Sequence, residues 1–447
     1  MVVCRLFCRR CRLSWKCCCK FCCIVTIVIC VVAMKFVHYI MVEMNCTDEE
    51  SKSVLQDLCQ LYHRGEVAGS FCPILCDTQL LQYRSCLNYK GGKYALQMVC
   101  KNCGASMYPP AVNSVKIQSL MLKGANSAGD VKLVFKMKDK LEETKQSLTG
   151  MFHDHLEIET YINRTRESVR NSYRNNLMVD MSHVHDIILY TWGYDLSEYL
   201  SQSQSHPSQV TSLKGAIYSI LSLIEQQEYL LSKLLQNYTF LPQIFGTCGP
   251  AYGVEFTETL KKFEQPFSIG TGIDWNERAL IAIKLIDLVK LMDEGLHETL
   301  HMCDVKPNNF GLRPNGDVTI IDSDCALFES DLRRQFGYSN CSSDQECAFF
   351  DCLGTCNIVL GKCYMDRANT NLQTICKDVF RGYSSAFTTG ILHSPPSHIQ
   401  PELSSLLDKC SLPESVRSQD GQPGKDIENL GLDIQTLLQS SIKPHRT

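Results

Sequence analysis

A short polar segment carries the residues with the clearest chemical potential. Asp304 is followed by Lys306 two residues later, by Asn309 five residues later and by Asp322 eighteen residues later. Phosphoryl transfer needs a carboxylate that accepts the proton of an acceptor hydroxyl, and it needs oxygen ligands that hold Mg²⁺ on the phosphates. The spacing therefore predicts Asp304 and Lys306 as catalytic residues. It also predicts Asn309 and Asp322 as ligands of Mg²⁺ bound to ATP.

The same segment has the layout of a protein kinase catalytic loop and its metal-binding aspartate. A kinase also needs a strand lysine that binds the nucleotide phosphates and pairs with a glutamate on the following helix. Lys136, in the run Val-Phe-Lys, fits this position, and a solvated surface lysine is the alternative. For its partner we favour Glu157 over Glu159. The helical neighbour of Glu159 is Asn163, which lies in a glycosylation sequon and must face solvent when glycosylated.

Several stretches predict the elements that position these residues. Two runs rich in β-branched residues, 112–122 and 130–137, flank a Gly- and Asn-containing turn and predict a hairpin. The apolar stretch 213–235 predicts buried helical structure, and 240–256 predicts paired strands that lead to an interlobe hinge. Residues 278–292 predict an amphipathic helix that delivers the chain to the polar segment.

A competing motif overlaps the polar segment. Residues 297–301 read His-Glu-Thr-Leu-His, which matches the zinc-binding pattern of metalloproteases. Zinc ligation requires both histidines on one helical face, and Gly295 and Pro307 leave little room for such a helix. A zinc metalloprotease is therefore the minor alternative.

Charge and cysteine content indicate where the chain works. It has 447 residues, a net charge of −4 and 26 cysteines, and the charge gives no indication of nucleic-acid binding. Residues 1–20 interleave cysteines with arginines and lysines, residues 21–42 are apolar enough to cross a bilayer, and acidic residues follow. Basic residues before the span and acidic residues after it predict a type II membrane anchor. A cleaved signal peptide is the alternative.

A luminal location makes disulfides and N-linked glycans expected. Seventeen cysteines follow residue 45, so at least one thiol is unpaired or is paired between chains. Residues 43–110 form a cysteine-rich segment, in which disulfides are favoured over zinc ligation. Residues 341–363 form a second cysteine-rich stretch, here called the cysteine box. Sequons predict possible glycans at Asn45, Asn163, Asn237 and Asn340.

The chain resembles the divergent protein kinase domain (DIPK) family of cysteine-rich single-pass membrane proteins. The resemblance rests on the cysteine and glycine motif at 59–76, Gly-Thr-Cys-Gly at 246–249, the catalytic loop, the cysteine box and Leu-His-x-Pro-Pro at 392–396. It implies an α+β, divergent protein kinase-like bilobal fold, preceded by one transmembrane helix and a disulfide-rich segment. It also implies type II topology in the endoplasmic reticulum membrane, with the Golgi membrane as the alternative.

The expected domains follow from these assignments. They are a cytosolic tail (1–20), a transmembrane anchor (21–42), a luminal cysteine-rich segment (43–110), an N-lobe with a helical insertion (111–256) and a C-lobe that contains the cysteine box (257–447).

Three features depart from an ordinary kinase. No Gly-x-Gly-x-x-Gly motif precedes Lys136, Met302-Cys303 replaces His-Arg, and Ser323-Asp324 replaces Phe-Gly. Two functions therefore stay open. The chain is either a luminal kinase that uses ATP and Mg²⁺ on a protein or glycan of the secretory pathway, or a kinase-like scaffold without turnover.

Overall fold

The computed structural model describes residues 46–90, 92–101, 130–138, 158–202, 209–263, 265–266, 274–382, 388–412 and 425–442. Within them a five-stranded sheet packs on a mostly helical C-terminal part, and short hairpins flank that part. The predicted anchor at 21–42 and the tail before it lie outside the described residues. In the described part, no helix combines the length and apolarity that a membrane span requires.

Helix α1 (Asp48–His63) opens the described chain and covers the outer face of the sheet. It begins at a capping box, in which Glu50 donates its backbone N–H to the Thr47 hydroxyl and its carboxylate accepts from the Thr47 N–H. These bonds satisfy backbone donors that no helical carbonyl can reach. Leu55 and Leu58 are buried in the cluster that α1 forms with the sheet.

Disulfides tie the described segments together. The pairs are Cys46–Cys86, Cys59–Cys76, Cys72–Cys248, Cys303–Cys352, Cys341–Cys356, Cys347–Cys363 and Cys376–Cys410. The preference for disulfides over zinc ligation is confirmed for Cys72 and Cys76, which bond to different partners. Cys100 is also disulfide-bonded. The odd cysteine count predicted an unpaired thiol, and Cys325 is free among the described cysteines.

The sheet consists of five antiparallel strands. Their bounds are β1 (Leu81–Lys90), β2 (Lys93–Cys100), β3 (Val131–Lys138), β4 (Ile244–Cys248) and β5 (Ala251–Glu255), and their order is β1-β2-β3-β5-β4. The strand predicted over 130–137 and the paired strands predicted over 240–256 are confirmed.

The partners of β3 overturn two sequence-based expectations. β2 and β5 pair with the two edges of β3, so the hairpin predicted between 112–122 and 130–137 is wrong. Residues 112–122 themselves lie outside the described residues. Since β1 and β2 belong to the same sheet, the N-lobe begins at β1 and not after residue 110. The cysteine-rich segment is thus partly built into the lobe.

Gly69 marks the place where the N-terminal segment crosses β4. Its φ is +146°, and a Cβ there would lie 2.2 Å from the carbonyl oxygen of Thr247. Gly246 makes room for the ring of Phe71, because a Cβ at this position would lie 2.5 Å from ring atoms. The Cys72–Cys248 disulfide fixes the same crossing. The glycines and cysteines of the motifs at 59–76 and 246–249 therefore pack together where the two segments cross.

We expect the Gly69→Ala variant to lower the free energy of unfolding by about 2–3 kcal/mol, since the added methyl group meets a backbone carbonyl in a strained conformation. Thermal denaturation of the disulfide-bonded chain measures the loss. Gly193→Ala is the matched control, because Gly193 also has a positive φ, of +91°, but a Cβ there meets nothing within 4 Å. An equal loss in the control would show that the positive φ alone, and not the contact with Thr247, requires glycine at position 69.

Helices supply most of the remaining core. Their bounds are α2 (Ile158–Leu177), α3 (Ile187–Trp192), α4 (Leu196–Gln202), α5 (Gln209–Ile224), α6 (Gln227–Leu234) and, after the sheet, α7 (Trp275–Glu294). The helix predicted over 278–292 is confirmed as part of α7. The buried helical stretch predicted over 213–235 is confirmed and is divided between α5 and α6.

Short strands and further helices complete the C-terminal part. The strands are β6 (Glu258–Thr259), β7 (Gln265–Pro266), β8 (Leu300–Met302), β9 (Phe310–Leu312), β10 (Val318–Ile320), β11 (Ala326–Phe328), β12 (Ala348–Phe349), β13 (Cys352–Leu353), β14 (Cys356–Asn357), β15 (Lys362–Cys363) and β16 (Thr388–Thr389). The helices are α8 (Glu329–Gly337), α9 (Asn371–Ile375), α10 (Gln400–Ser411) and α11 (Lys425–Ser441). β9 pairs with β10 and β6, and β8 pairs with β11. These pairings set the geometry of the catalytic loop.

Three of the four sequons lie in the described residues. Asn163, Asn237 and Asn340 are exposed, as an acceptor of an N-glycan must be, and Asn45 lies outside the described residues. Glu159 is exposed too, as its position relative to Asn163 predicted. Glycosylation itself stays a prediction.

Candidate active site

Asp304 lies in a loop that the cysteine box holds in place. Asp351, in the turn between β12 and β13, donates its N–H to the carbonyl of Cys303 over 2.7 Å. Its carboxylate accepts from the N–H of Val305 over 2.7 Å. The disulfide from Cys303 to Cys352 links the same two segments covalently. The residues on both sides of Asp304 are thus fixed to the box.

The three catalytic-loop residues predicted from sequence are brought together. Lys306 donates from Nζ to Oδ2 of Asp304 over 2.5 Å. Asn309 donates from Nδ2 to the Asp304 carbonyl over 2.8 Å and to its Oδ2 over 3.0 Å. Because the amide nitrogen of Asn309 faces Asp304, its amide oxygen faces away, and no described residue donates a hydrogen bond to it. That oxygen has the chemistry of a metal ligand.

Asp322 follows β10 and is positioned by the hairpin that β10 forms with β9. Ile321 donates its N–H to the carbonyl of Asn309 over 2.8 Å, which holds the two expected metal ligands side by side. Lys136 reaches the same point from β3, with Nζ 2.5 Å from the carbonyl oxygen of Ile321. Lys136 therefore contacts the backbone directly before Asp322, the expected metal ligand.

Among the described residues, the partner of Lys136 is Glu228 of α6. The sequence assigned that role to Glu157, which lies outside the described residues. The side chain of Glu228 is 4% exposed, and its two oxygens contact Lys136 and Lys93. Burial opposes ionisation of Glu228, but the attraction of the two lysines outweighs it and lowers the pKa to about 2. Lys136 is only 7% exposed, so it is not a solvated surface lysine.

Sequence reasoning missed Lys93 and Asp324. Nζ of Lys93 lies 2.9 and 3.0 Å from the two carboxylate oxygens of Asp324. Burial lowers the pKa of Lys93, but Glu228 and the other acidic groups around it raise the pKa well above its ordinary value. The two glycines at 91–92, between two alternating runs, are a hairpin pattern that could have placed Lys93 at the start of a strand.

The sequence also contains a pattern that could have indicated a role for Glu228. It is an acidic residue in a helical stretch that is otherwise strongly apolar. A buried carboxylate is costly unless a cation or several donors compensate it, so such a residue indicates a buried basic partner. The sequence does not say which lysine that partner is.

Cys325, the free thiol, lies beside these groups. Its carbonyl accepts a hydrogen bond from the N–H of Cys303 over 3.0 Å. Burial, and then the negative charges of Asp304, Asp324 and Asp322, raise the pKa of its thiol to about 11. The thiol is protonated at neutral pH, and a protonated thiol is a poor nucleophile. The chemistry of the site therefore rests on carboxylates and lysines.

The donor set fits a nucleotide with its metal. Mg²⁺ prefers oxygen ligands, which Asp322 and Asn309 offer. Carboxylate oxygens of Glu228, Asp322 and Asp324 also lie within 4.8 Å of one another. Lys136 lies against Ile321 and so supplies positive charge where phosphates would meet the metal.

The His-Glu-x-x-His stretch at 297–301 has none of the geometry of a zinc site. α7 ends at Glu294, and His301 lies in β8, so the two histidines do not share a helical face. Nε2 of His301 bonds the carboxylate of Glu329, and Nδ1 lies 3.0 Å from the guanidinium of Arg367. Because a guanidinium only donates, Nδ1 accepts and Nε2 carries the proton. The metalloprotease alternative is wrong.

A buried polar network secures the strand before Asp304. Asn371 accepts from the N–H of Met302 over 3.0 Å and donates to the carbonyl of Leu300 over 2.9 Å. Arg367 donates to Asn371 over 2.8 Å, and burial lowers the pKa of Arg367 to about 10. Residues after the cysteine box thus hold β8 and with it Met302, the first residue of the pair that replaces His-Arg.

Residues 220–413 match a family model described as the protein-kinase domain of FAM69. The matched range contains Glu228, the catalytic loop, Asp322 and the cysteine box. Strands β1–β3, with Lys93 and Lys136, precede it. The match confirms the resemblance to a divergent kinase-domain family that the motifs indicated.

Proposed function

Since residues 220–413 belong to this divergent kinase-domain family, we propose that the chain is a kinase that transfers the γ-phosphate of ATP to a hydroxyl group of a protein or glycan. The observation that carries the proposal is the ion pair of Lys136 with Glu228, which lies against Ile321 next to Asp322. A strand lysine, a helix glutamate and a metal-binding aspartate meet in this way where a kinase holds a nucleotide.

Each residue has a defined role in the proposed reaction. Asp304 accepts the proton of the acceptor hydroxyl, and Lys306, with Nζ 2.5 Å from this carboxylate, stabilises negative charge on the transferred group. Asn309 and Asp322 offer oxygen ligands, and Lys136 binds phosphate oxygens. Bound ATP and Mg²⁺ would supply the phosphoryl group and the charge that neutralises it.

We further propose that the reaction takes place in the lumen of the endoplasmic reticulum, with the Golgi lumen as the alternative. Disulfides of the described residues are typical of proteins that fold in an oxidising compartment. The charge pattern around residues 21–42 supports a type II anchor. The acceptor is then a protein or glycan of the secretory pathway.

One observation favours a scaffold without turnover as the second candidate function. Lys93 bridges Glu228 and Asp324, so two carboxylates of the site already have a cation within the chain. Such a site gains less from a metal than one with unpaired carboxylates. Because a kinase must bind ATP, absence of nucleotide binding would exclude the kinase and leave the scaffold.

We expect Mg²⁺ with ATP at about 100 times its dissociation constant to stabilise the full-length chain by about 2.7 kcal/mol. The Asp322→Asn variant is expected to lose the Mg²⁺-dependent part, since it lacks a metal ligand. Thermal denaturation of the chain purified from secretory membranes measures both. Asp317→Asn is the matched control, because Asp317 lies in the turn before β10 and pairs with Lys284, 2.9 Å away. No stabilisation of the wild type would contradict the kinase and favour the scaffold.

A further inference from the structure

Lys93 occupies an unusual position in the site. It is the first residue of β2, directly after the glycines at 91–92. In the sheet register Ala95 pairs with Lys136, and side chains two residues apart on a strand share a face. Lys93 and Lys136 therefore project from the same face of the sheet, and both contact Glu228. Lys93 is the one that also reaches Asp324.

The acidic groups around Lys93 have the spacing of a cation site. Oxygens of Glu228, Asp322 and Asp324 lie within 4.8 Å of one another. The side chain of Tyr252 lies on the same face of the sheet as that of Lys136, because the two residues pair across β3 and β5. Its hydroxyl is fully buried beside Glu228 and makes no hydrogen bond of standard geometry. A buried polar atom without a hydrogen-bond partner calls for an explanation, and a ligand bound beside it would supply the missing partner.

Charge balance indicates which group that is. Two lysines face three carboxylates, which leaves the cluster with one excess negative charge. A divalent cation in place of the Lys93 ammonium would bring the cluster to neutrality. The cation and the ammonium cannot both lie among these oxygens, because like charges at such distances repel strongly.

We propose that Lys93 occupies a divalent-cation site formed by Glu228, Asp322 and Asp324, and that the cation displaces it. The displaced side chain, at the turn after the two glycines, then binds the nucleotide phosphates. Lys93 thereby does part of the work of the missing Gly-x-Gly-x-x-Gly loop. Metal and nucleotide binding reinforce each other, since the nucleotide gives the displaced lysine a new anionic partner. This second step rests on the proposed function.

The test is a titration of the full-length chain with Mn²⁺ alone, followed by electron paramagnetic resonance, in the wild type and in Lys93→Met. We expect the dissociation constant for Mn²⁺ to fall on the order of tenfold in Lys93→Met, because the competing ammonium is gone. The affinity for ATP with Mg²⁺ is expected to fall by a similar factor. Lys132→Met is the matched control, because Lys132 is exposed, lies four residues before Lys136 on β3 and has its Nζ over the ring of Phe256.

A second measurement needs no variant. The side chain of Lys93 is 17% exposed, and its displacement would open it to solvent. We expect acetylation of Lys93, followed by mass spectrometry, to rise several-fold at saturating Mn²⁺, whereas acetylation of Lys132 stays constant. Unchanged acetylation of Lys93, or Mn²⁺ affinity that is unchanged or weaker in Lys93→Met, overturns the displacement. Failure of the wild type to bind ATP overturns the proposed function instead, and the Mn²⁺ measurements still decide the cation site.

Discussion

Replacing Glu228 by glutamine is expected to lower the free energy of unfolding by about 3–5 kcal/mol and to abolish binding of ATP with Mg²⁺. Glu228 is the shared anion of Lys136 and Lys93, and the three side chains are largely withdrawn from water. Glutamine keeps the shape but removes the charge, so the buried ammonium of Lys136 loses its counter-ion and Lys93 keeps only Asp324. The lysine that should bind phosphate then also loses the contact that orients it.

Chemical denaturation and nucleotide-dependent thermal stabilisation measure the two effects of Glu228→Gln. Glu157→Gln is the informative comparison, because sequence pattern favoured Glu157 for the same role. We expect Glu157→Gln to keep the binding of ATP with Mg²⁺. A loss of binding in Glu157→Gln, with binding retained in Glu228→Gln, would restore the sequence-based assignment.

The pH dependence of Glu228→Gln provides an internal check. The pKa of Glu228 falls from 4.5 to about 2 on folding. The ionised carboxylate therefore stabilises the folded state fully at any pH above 4.5, the pKa of Glu228 in the unfolded chain. The stability advantage of the wild type over the variant is therefore complete above pH 4.5, and it decreases as the pH falls towards 2. The pKa difference corresponds to about 3 kcal/mol, in line with the expected loss. An advantage that grew on acidification would contradict an ionised Glu228.

The grouping of the candidate catalytic residues in space could be predicted because they are close in sequence. Asp304 and Asn309 share one loop, and a short hairpin brings Asp322 beside Asn309. Spacing along the chain therefore translates directly into distance. The residue types also restrict the chemistry, since carboxylate, amide and lysine in this order suit phosphoryl transfer.

The partners of Lys136 could not be predicted in the same way, because long-range packing selects them. Glu228 lies ninety-two residues after Lys136, on a helix that reaches the sheet through apolar contacts. Glu157 was favoured by helical periodicity, which reports which face is buried but not what it packs against. The strands around β3 show the same limit, since several segments have strand-like composition and pairing depends on the whole sheet.

The strongest expectation for the catalytic loop concerns the Cys303–Cys352 disulfide, which adjoins Asp304 and links residues 49 positions apart. In the chain-entropy treatment, removing it by Cys303→Ala with Cys352→Ala costs about 4 kcal/mol of stability. We also expect the affinity for ATP with Mg²⁺ to fall on the order of tenfold, because the loop that carries Asn309 loses its anchor on the cysteine box.

The Cys376–Cys410 disulfide is the matched control for the loss of Cys303–Cys352. It is also buried and spans 34 positions, so its removal also costs about 4 kcal/mol of stability. Unlike Cys303–Cys352, it joins the segment after α9 to α10. Hydrogen exchange at the Val305 amide, which bonds Asp351, separates the two variants. Only the variant without Cys303–Cys352 is expected to exchange faster at Val305 and to bind the nucleotide more weakly. Equal effects of both variants on Val305 and on ATP would mean that the disulfide beside Asp304 stabilises the lobe as a whole and does not position the catalytic loop.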